Sequence, residues 1–186
     1  MHREPPVAKE IEMDIFKAIA KRHSYRGAFL PKPVPREDLQ RIVQAGILAP
    51  SGCNAQTTTF AIVDDPAILA SIYEVLDRPG LRLPPALIVC IAEPRVVFQD
   101  MHFELEDCSA ATENILLAVT ALGYATVWID GMLRMNGVAE KIGQILNIPA
   151  DRQVQIILPI GVPAAPGKQP EKLPFAERAW FNRYEG

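Results

Sequence analysis

The sequence has no Gly-x-Gly-x-x-Gly and no Gly-x-x-x-x-Gly-Lys-[Ser/Thr], which disfavours a Rossmann dinucleotide site and a P-loop. No apolar run approaches the roughly 20 residues needed to span a bilayer. The most apolar stretch, Ile115 to Leu122, is short and follows Glu113 and Asn114. The three cysteines, Cys53, Cys90 and Cys108, form no Cys-x-x-Cys, and no His-rich cluster accompanies them. Disulfide scaffolding and a structural zinc site are therefore disfavoured, no metal is expected, and a reducing cytoplasm fits best. The opening MHREPPVAKE lacks the apolar centre of a secretory signal, which points the same way. An excess of one charge is missing too. The formal net charge is -3 and both signs are scattered, unlike the clustered basic face of a nucleic-acid binder.

What is present is an ordinary globular composition, 49% hydrophobic and 22% charged, in 186 residues. That length suits one domain with a real core, taken as residues 1–186. Proline is frequent, with 17 residues, several in the first 35 positions and around 159–174. Residues 1–11 and 164–186 are accordingly expected to be extended arms.

Apolar spacing predicts a helix over 12–22, with Met13, Phe16, Ile19 and Ala20 on one face. A second helix runs from Arg36 and stops at Pro50, and a third spans 66–76. Strands are predicted over 58–63 and 86–92, both rich in β-branched residues. A long helix follows over 106–122 with Gly123 as its C-cap, then a short strand over 125–129. A helix over 136–146 and a strand over 154–160 complete the order. Helices and strands alternate from Thr58 onward, which suggests a layered sheet with helices packed on it.

Three polar stretches exceed what a plain core needs. Arg22-His23-Ser24-Tyr25-Arg26 offers two guanidiniums and a hydroxyl suited to a phosphate or another planar anion. The plainer alternative is that both arginines complement a helix C-terminus. Ala49 to Gln56 presents Ser51, Asn54 and Gln56 on a loop between rigid elements, which is either a ligand contact or an ordinary turn. Cys53 within it has no histidine placed as its base and is taken as a packing or ligand-lining residue. Gly123 to Gly131 carries a helix end, a short strand and the tight Asp130-Gly131 turn, where glycine permits close approach to a ligand or merely ends a strand.

Together these pieces resemble the nitroreductase family of flavoproteins, with the motifs in family order from about Ile15 to Ala179. Arg-His-Ser-x-Arg at 22–26 and Ala-Pro-Ser-x-x-Asn-x-Gln at 49–56 are similar to its first two motifs. Leu122-Gly123 with Thr126-Val127-Trp128-Ile129 is similar to the third, and Leu146-Asn147-Ile148-Pro149 with Ile160-Gly161-Val162-Pro163 completes the set. The resemblance implies an α+β fold of α/β-type layers: a mixed central sheet flanked by helices, in an intertwined homodimer. It further implies FMN in a crevice at the dimer interface.

By that resemblance Arg22 and Ser24 bind the phosphate and ribityl chain, with His23 beside them at the flavin edge. Arg26 lies near the pyrimidine edge of the ring. Pro50, Ser51, Asn54 and Gln56 form the second motif, with Ser51 and Asn54 reaching over from the other subunit. Ile129, Asp130 and Gly131 match the stretch whose backbone approaches flavin N5. Lys172 stands where the family contacts the phosphate, and Lys168 is a second candidate. Two departures stand out: Thr57-Thr58 replaces the family's Pro-Trp, and Asp130 stands where many short members carry Gly. The segment from Glu93 to Glu106, with Phe98, Met101, His102 and Phe103, either covers the active site or packs on the sheet.

The implied activity is hydride transfer from NADH or NADPH through flavin N5 to a nitroaromatic, quinone or similar small acceptor, in a ping-pong cycle. No side chain acts as nucleophile; the chemistry is the cofactor's. A dehalogenase, dehydrogenase or flavin-degrading enzyme of the same fold, and a non-catalytic FMN-binding module, remain alternatives. A guanidinium beside N1 and O2 stabilises the negative charge of a two-electron-reduced ring. Arg26→Ala is therefore expected to lower the flavin potential while leaving some flavin bound. An unchanged potential in spectroelectrochemistry would remove this role.

Overall fold

The computed structural model describes residues 13–77 and 84–186, so the arm expected over 1–11 lies outside the described residues. Helix α1 (Ile15–Lys21) starts where the Asp14 side chain accepts a hydrogen bond from the Lys17 N–H. α2 (Arg36–Ile47) follows the proline-rich stretch and buries Leu39, Ile42, Val43 and Gly46, an i, i+3, i+4, i+7 stripe. β1 (Thr58–Val63) leads to α3 (Pro66–Val75), which has Asp65 as N-cap and Pro66 in the first turn. β2 (Ala86–Ala92), α4 (Glu104–Ala121), α5 (Val138–Ile145) and β3 (Gln153–Ile160) complete the order. The tail over 164–186 holds one 3-10 turn, Phe175–Glu177. No helix among the described residues is long and apolar enough to cross a membrane.

The sheet runs β1-β2-β3, and every residue of β2 is buried. Ala86, Ile88, Cys90 and Ala92 face α2 and α4, while Leu87, Val89 and Ile91 face α3 and α5. The register shift beside Cys90 leaves Gln155 as an extra residue. Val154 and Ile157 thereby share the α3/α5 side although Ile156 points the other way. A central sheet with a helical layer on each face is the fold of this α+β chain.

Four expectations need correction. The sheet was expected to be mixed, but every pairing among the described residues is antiparallel. A parallel neighbour needs a crossover to the far end of the sheet. Here Val63 pairs with Leu87 and Ala92 with Gln153, so each strand starts where the last one stopped. The strand expected over 125–129 is reduced to two isolated bridges, Ala125 with Gly161 and Ile129 with Ile157. Pro159 falls on the rung between them, opposite Val127, and has no N–H to donate there; on the outer side the Thr126 carbonyl accepts from the Tyr25 N–H (2.8 Å). The helix over 12–22 is shorter than expected and does not bury its apolar face. Ala18 is its buried residue, whereas Phe16 is 79% exposed. The last helix begins at Val138, because Asn136 and Gly137 adopt left-handed φ of 53° and 67°.

Burial pushes the Cys90 thiol up to about 12 and the Cys108 thiol up to about 11, which makes both inert packing groups at neutral pH. Ile115 is fully buried between α4 and α2, where its Cδ1 would lie 2.8 Å from a Cβ placed on Gly46. Ile115→Ala is expected to cost about 2–5 kcal/mol. Urea unfolding checks this, and a loss below roughly 1 kcal/mol would contradict the packing described.

Candidate functional site

The chain leaves α1 at Arg22 in an extended conformation and runs beside residues 125–129. Tyr25 anchors it: its N–H donates to Thr126, and its buried hydroxyl donates to the Ala28 carbonyl (2.7 Å). Side chains on either side of this anchor stay available. Arg26 is exposed and opens onto a cleft of about 450 Å³. Tyr25, Phe29, Val127, Trp128, Ile129, Asp130, Gly131, Met132, Tyr73 and Pro159 also line that cleft. Two predicted groups far apart in sequence, Arg26 and the Ile129-Asp130-Gly131 turn, therefore share one space.

Asp130 is held by Arg134, one turn further along, at 2.7 Å. Its negative charge thus meets the cleft already paired. A Cβ at Gly131 would touch nothing within 4 Å, so this chain alone places no demand for glycine there. Arg22 lies outside the cleft lining. Its Nε is 3.6 Å from a Glu113 carboxylate oxygen on α4. His23 and Ser24 are half-buried next to it, with the Ser24 carbonyl 3.5 Å from an Arg26 guanidinium nitrogen. Lys168 and Lys172 are exposed on the tail and form no ion pair among the described residues.

The second motif lies elsewhere. Pro50, Ser51 and Gln56 line a hollow of about 60 Å³ at the start of β1, and Asn54 is exposed beside it. The Ser51 hydroxyl accepts from the Gln56 N–H (3.0 Å). Cys53, Asn54 and Gln56 all have left-handed φ, at 49°, 55° and 53°. Three non-glycine residues in that region store strain, which persists only where the surroundings fix it. Asp107 is what fixes it. This buried carboxylate accepts from the Gly52 N–H (2.8 Å) and the Thr57 hydroxyl (2.6 Å). Thr57, one of the two departures from the resemblance, thus has a defined task in holding the loop.

Phe103 closes on the same loop, its Cδ2 lying 2.5 Å from where a Gly52 Cβ would stand. Phe98 and Met101 form a bridged turn and are exposed. Within this chain the segment from Glu93 to Glu106 contributes nothing to the lining of the larger cleft.

Sequence reading missed Asp107, Tyr25, Trp128 and Tyr73 as shapers of these sites. Asp107 stands in the first turn of α4 beside Glu104 and Glu106, where acidic residues commonly complement the helix dipole. Nothing in that pattern marks one of the three as buried. Trp128 sat inside a recognised stretch, and its place between the two glycines was the one available signal.

The nitroreductase family model matches residues 19–85 and 80–162. A relative from Archaeoglobus fulgidus named NADH dehydrogenase/NAD(P)H nitroreductase is 33% identical over 153 residues, which is 81% of this chain and 86% of the relative. One of the same name from Methanothermobacter thermautotrophicus is 31% identical over 158 residues, covering 84% of this chain and 81% of that one. The crystal structure of an FMN-dependent nitroreductase from Clostridium difficile superposes with a TM-score of 0.76 at 28% identity, covering 90% of this chain and 98% of that chain.

Asp107→Ala would leave the part-buried Gly52 N–H and the buried Thr57 hydroxyl without their acceptor. A stability loss of roughly 2–4 kcal/mol is expected, measured by chemical denaturation. Unchanged stability would show that the loop is held by something else.

Proposed function

Because the chain belongs to the nitroreductase family and is an NAD(P)H oxidoreductase, we propose that its cleft holds FMN and serves hydride transfer. The donor is NADH or NADPH, and the acceptor is a small nitroaromatic, quinone or similar molecule. The observation that carries this reading is the convergence of Arg26 with Ile129, Asp130 and Gly131 on one aromatic-walled cleft.

The donor set suits the nucleotide. Trp128 and Phe29 offer flat apolar walls, Arg26 a cation at the rim, and Gly131 open space where a Cβ would stand. Arg22 faces a half-exposed Glu113 at 3.6 Å, a pairing worth under about 1 kcal/mol. Its guanidinium is thus readily exchanged onto a phosphate, where charge-assisted bidentate bonds are stronger. Ser24, His23 and Lys172 extend the same polar side in this reading.

Bound flavin would supply the acceptance and donation of hydride at N5. The chain's residues do the rest. Arg26 stabilises negative charge at the reduced ring's edge, and the Arg134 pairing keeps the Asp130 carboxylate from opposing it. One stacking place for nicotinamide and acceptor in turn makes the sequence ping-pong.

The loop with Pro50, Ser51, Asn54 and Gln56 is assigned to the site of a second copy of the chain. Its residues line a separate hollow in their own chain, next to exposed apolar side chains. Leu48 just before the loop is 73% exposed and Ile47 is open beside the hollow, and elsewhere on the surface Leu105 on α4 and Ile15, Phe16 and Ile19 on α1 are exposed as well. Apolar patches of this kind mark protein contacts.

Purified protein is expected to be yellow and to release FMN on denaturation, and anaerobic stopped-flow mixing with NADH or NADPH should bleach it. A yellow protein that neither nicotinamide bleaches would instead favour a non-catalytic flavin module. Arg22→Ala is expected to retain less FMN, and a mutant as yellow as wild type would contradict the phosphate assignment.

A further inference from the structure

The end of α1 is closed from the far end of the chain. A helix leaves its last carbonyls without partners, and the usual closure turns the chain back at a left-handed residue. Here Arg22 is extended (φ -56°, ψ 128°), so no such turn forms. Instead the Gln169 side-chain amide donates to the Arg22 carbonyl (2.6 Å) and reaches the Ile19 carbonyl at 3.4 Å. The Lys21 carbonyl is taken by His23 Nδ1 at 2.9 Å. A carbonyl can only accept, so Nδ1 carries a hydrogen. The Nε2 of the same ring is buried, with no partner among the described residues, and lies 1.9 Å from where a Cβ on Gly167 would stand. Two more bonds tie the same segment down, Ala164 N–H to the Ala28 carbonyl (2.9 Å) and Ala165 N–H to the Tyr25 hydroxyl (3.4 Å).

We propose that Gln169 and Gly167 are positioning residues: the tail caps α1 and so sets where Arg22 and His23 stand relative to the flavin phosphate. The inference rests on the flavin reading above. Gln169 holds the Arg22 backbone from one side while Glu113 loosely holds its guanidinium from the other. Gly167 is the one residue type that lets the tail lie flat on the His23 ring, since any Cβ there would occupy the place of Nε2. Neither residue needs to touch the ligand. Their effect is on the direction from which a cation one residue away can reach it, and bidentate pairing with phosphate tolerates little misalignment.

Flavin without its phosphate separates positioning from plain structural support. Apoprotein of wild type, Gln169→Leu and Gly167→Ala would be titrated with FMN and with riboflavin, following quenching of flavin fluorescence. Gln169→Leu keeps the bulk and loses both donated bonds. It is expected to raise the Kd for FMN by roughly five- to twentyfold, the scale of one or two net hydrogen bonds, and to leave riboflavin within about twofold. Gly167→Ala is expected to act in the same direction. Equal losses for both flavins would overturn the proposal in favour of a general loosening, and so would unchanged affinity for FMN. If wild type itself held riboflavin as tightly as FMN, the phosphate assignment would fall with it. A wild type that bound neither flavin would overturn the flavin reading as well.

Discussion

Two hydrogen-bonded anchors decide where the polar groups of this chain stand: the Tyr25–Thr126 backbone bond outside β3, and the Asp107 carboxylate under the loop before β1. Between them lies the width of the sheet. From β1 through β2 and β3 to residues 125–129 there are three strand spacings, roughly 14 Å. The rigid, wholly buried β2 in the middle gives this separation no freedom to close. The proposed two-chain site follows from this constraint. Residues of the first and third motifs meet in one cleft, while the second motif is presented outward on a strained loop that follows the exposed Ile47 and Leu48.

Strain and electrostatics point to the same division of labour. Three left-handed residues at 53, 54 and 56 would relax in a free loop, and Asp107 and Phe103 hold them from beneath. On the cleft side, Asp130 pairs with Arg134 at 2.7 Å, whereas Arg26 keeps no carboxylate partner among the described residues. Arg26 is thus the cation at the rim of the cleft that an anionic ligand could pair with, as the proposed flavin site needs. The two buried thiols pack in the core, Cys108 against the Thr58 hydroxyl (3.3 Å) and Cys90 against that of Thr112 (3.6 Å). Cys53, the exposed one, shapes the loop through its backbone angle rather than through its sulfur.

Much of the fold was legible from periodicity. Strands β1 and β2 have the expected bounds because β-branched runs end sharply at Asp64 and at Glu93 and Pro94. The expectation over 125–129 failed because Pro159 acts on a strand that precedes it by some thirty positions, a non-local effect that no window reveals. The apolar spacing of α1 marks a stripe, but among the described residues that stripe is exposed, with Phe16 at 79%. Of the candidate site, the three polar stretches stand out in the sequence and their roles come from the resemblance, whereas the groups that hold them are marked by neither. Asp107 and Gln169 act across 50 and 147 positions respectively, and side chains of their type are everyday surface residues.

Complementation between two defective chains tests the composite site most directly. One chain would carry Arg22→Ala and the other a double substitution of Ser51 and Asn54 to Ala, each purified alone and then mixed, unfolded and refolded together. If each flavin is clasped by the first motif of one protomer and the loop of its partner, the mixed dimer regains one intact site. Native mass spectrometry should then find one FMN per heterodimer. If the heterodimer forms and binds no more FMN than either parent, both motifs serve the same chain and the composite site is wrong.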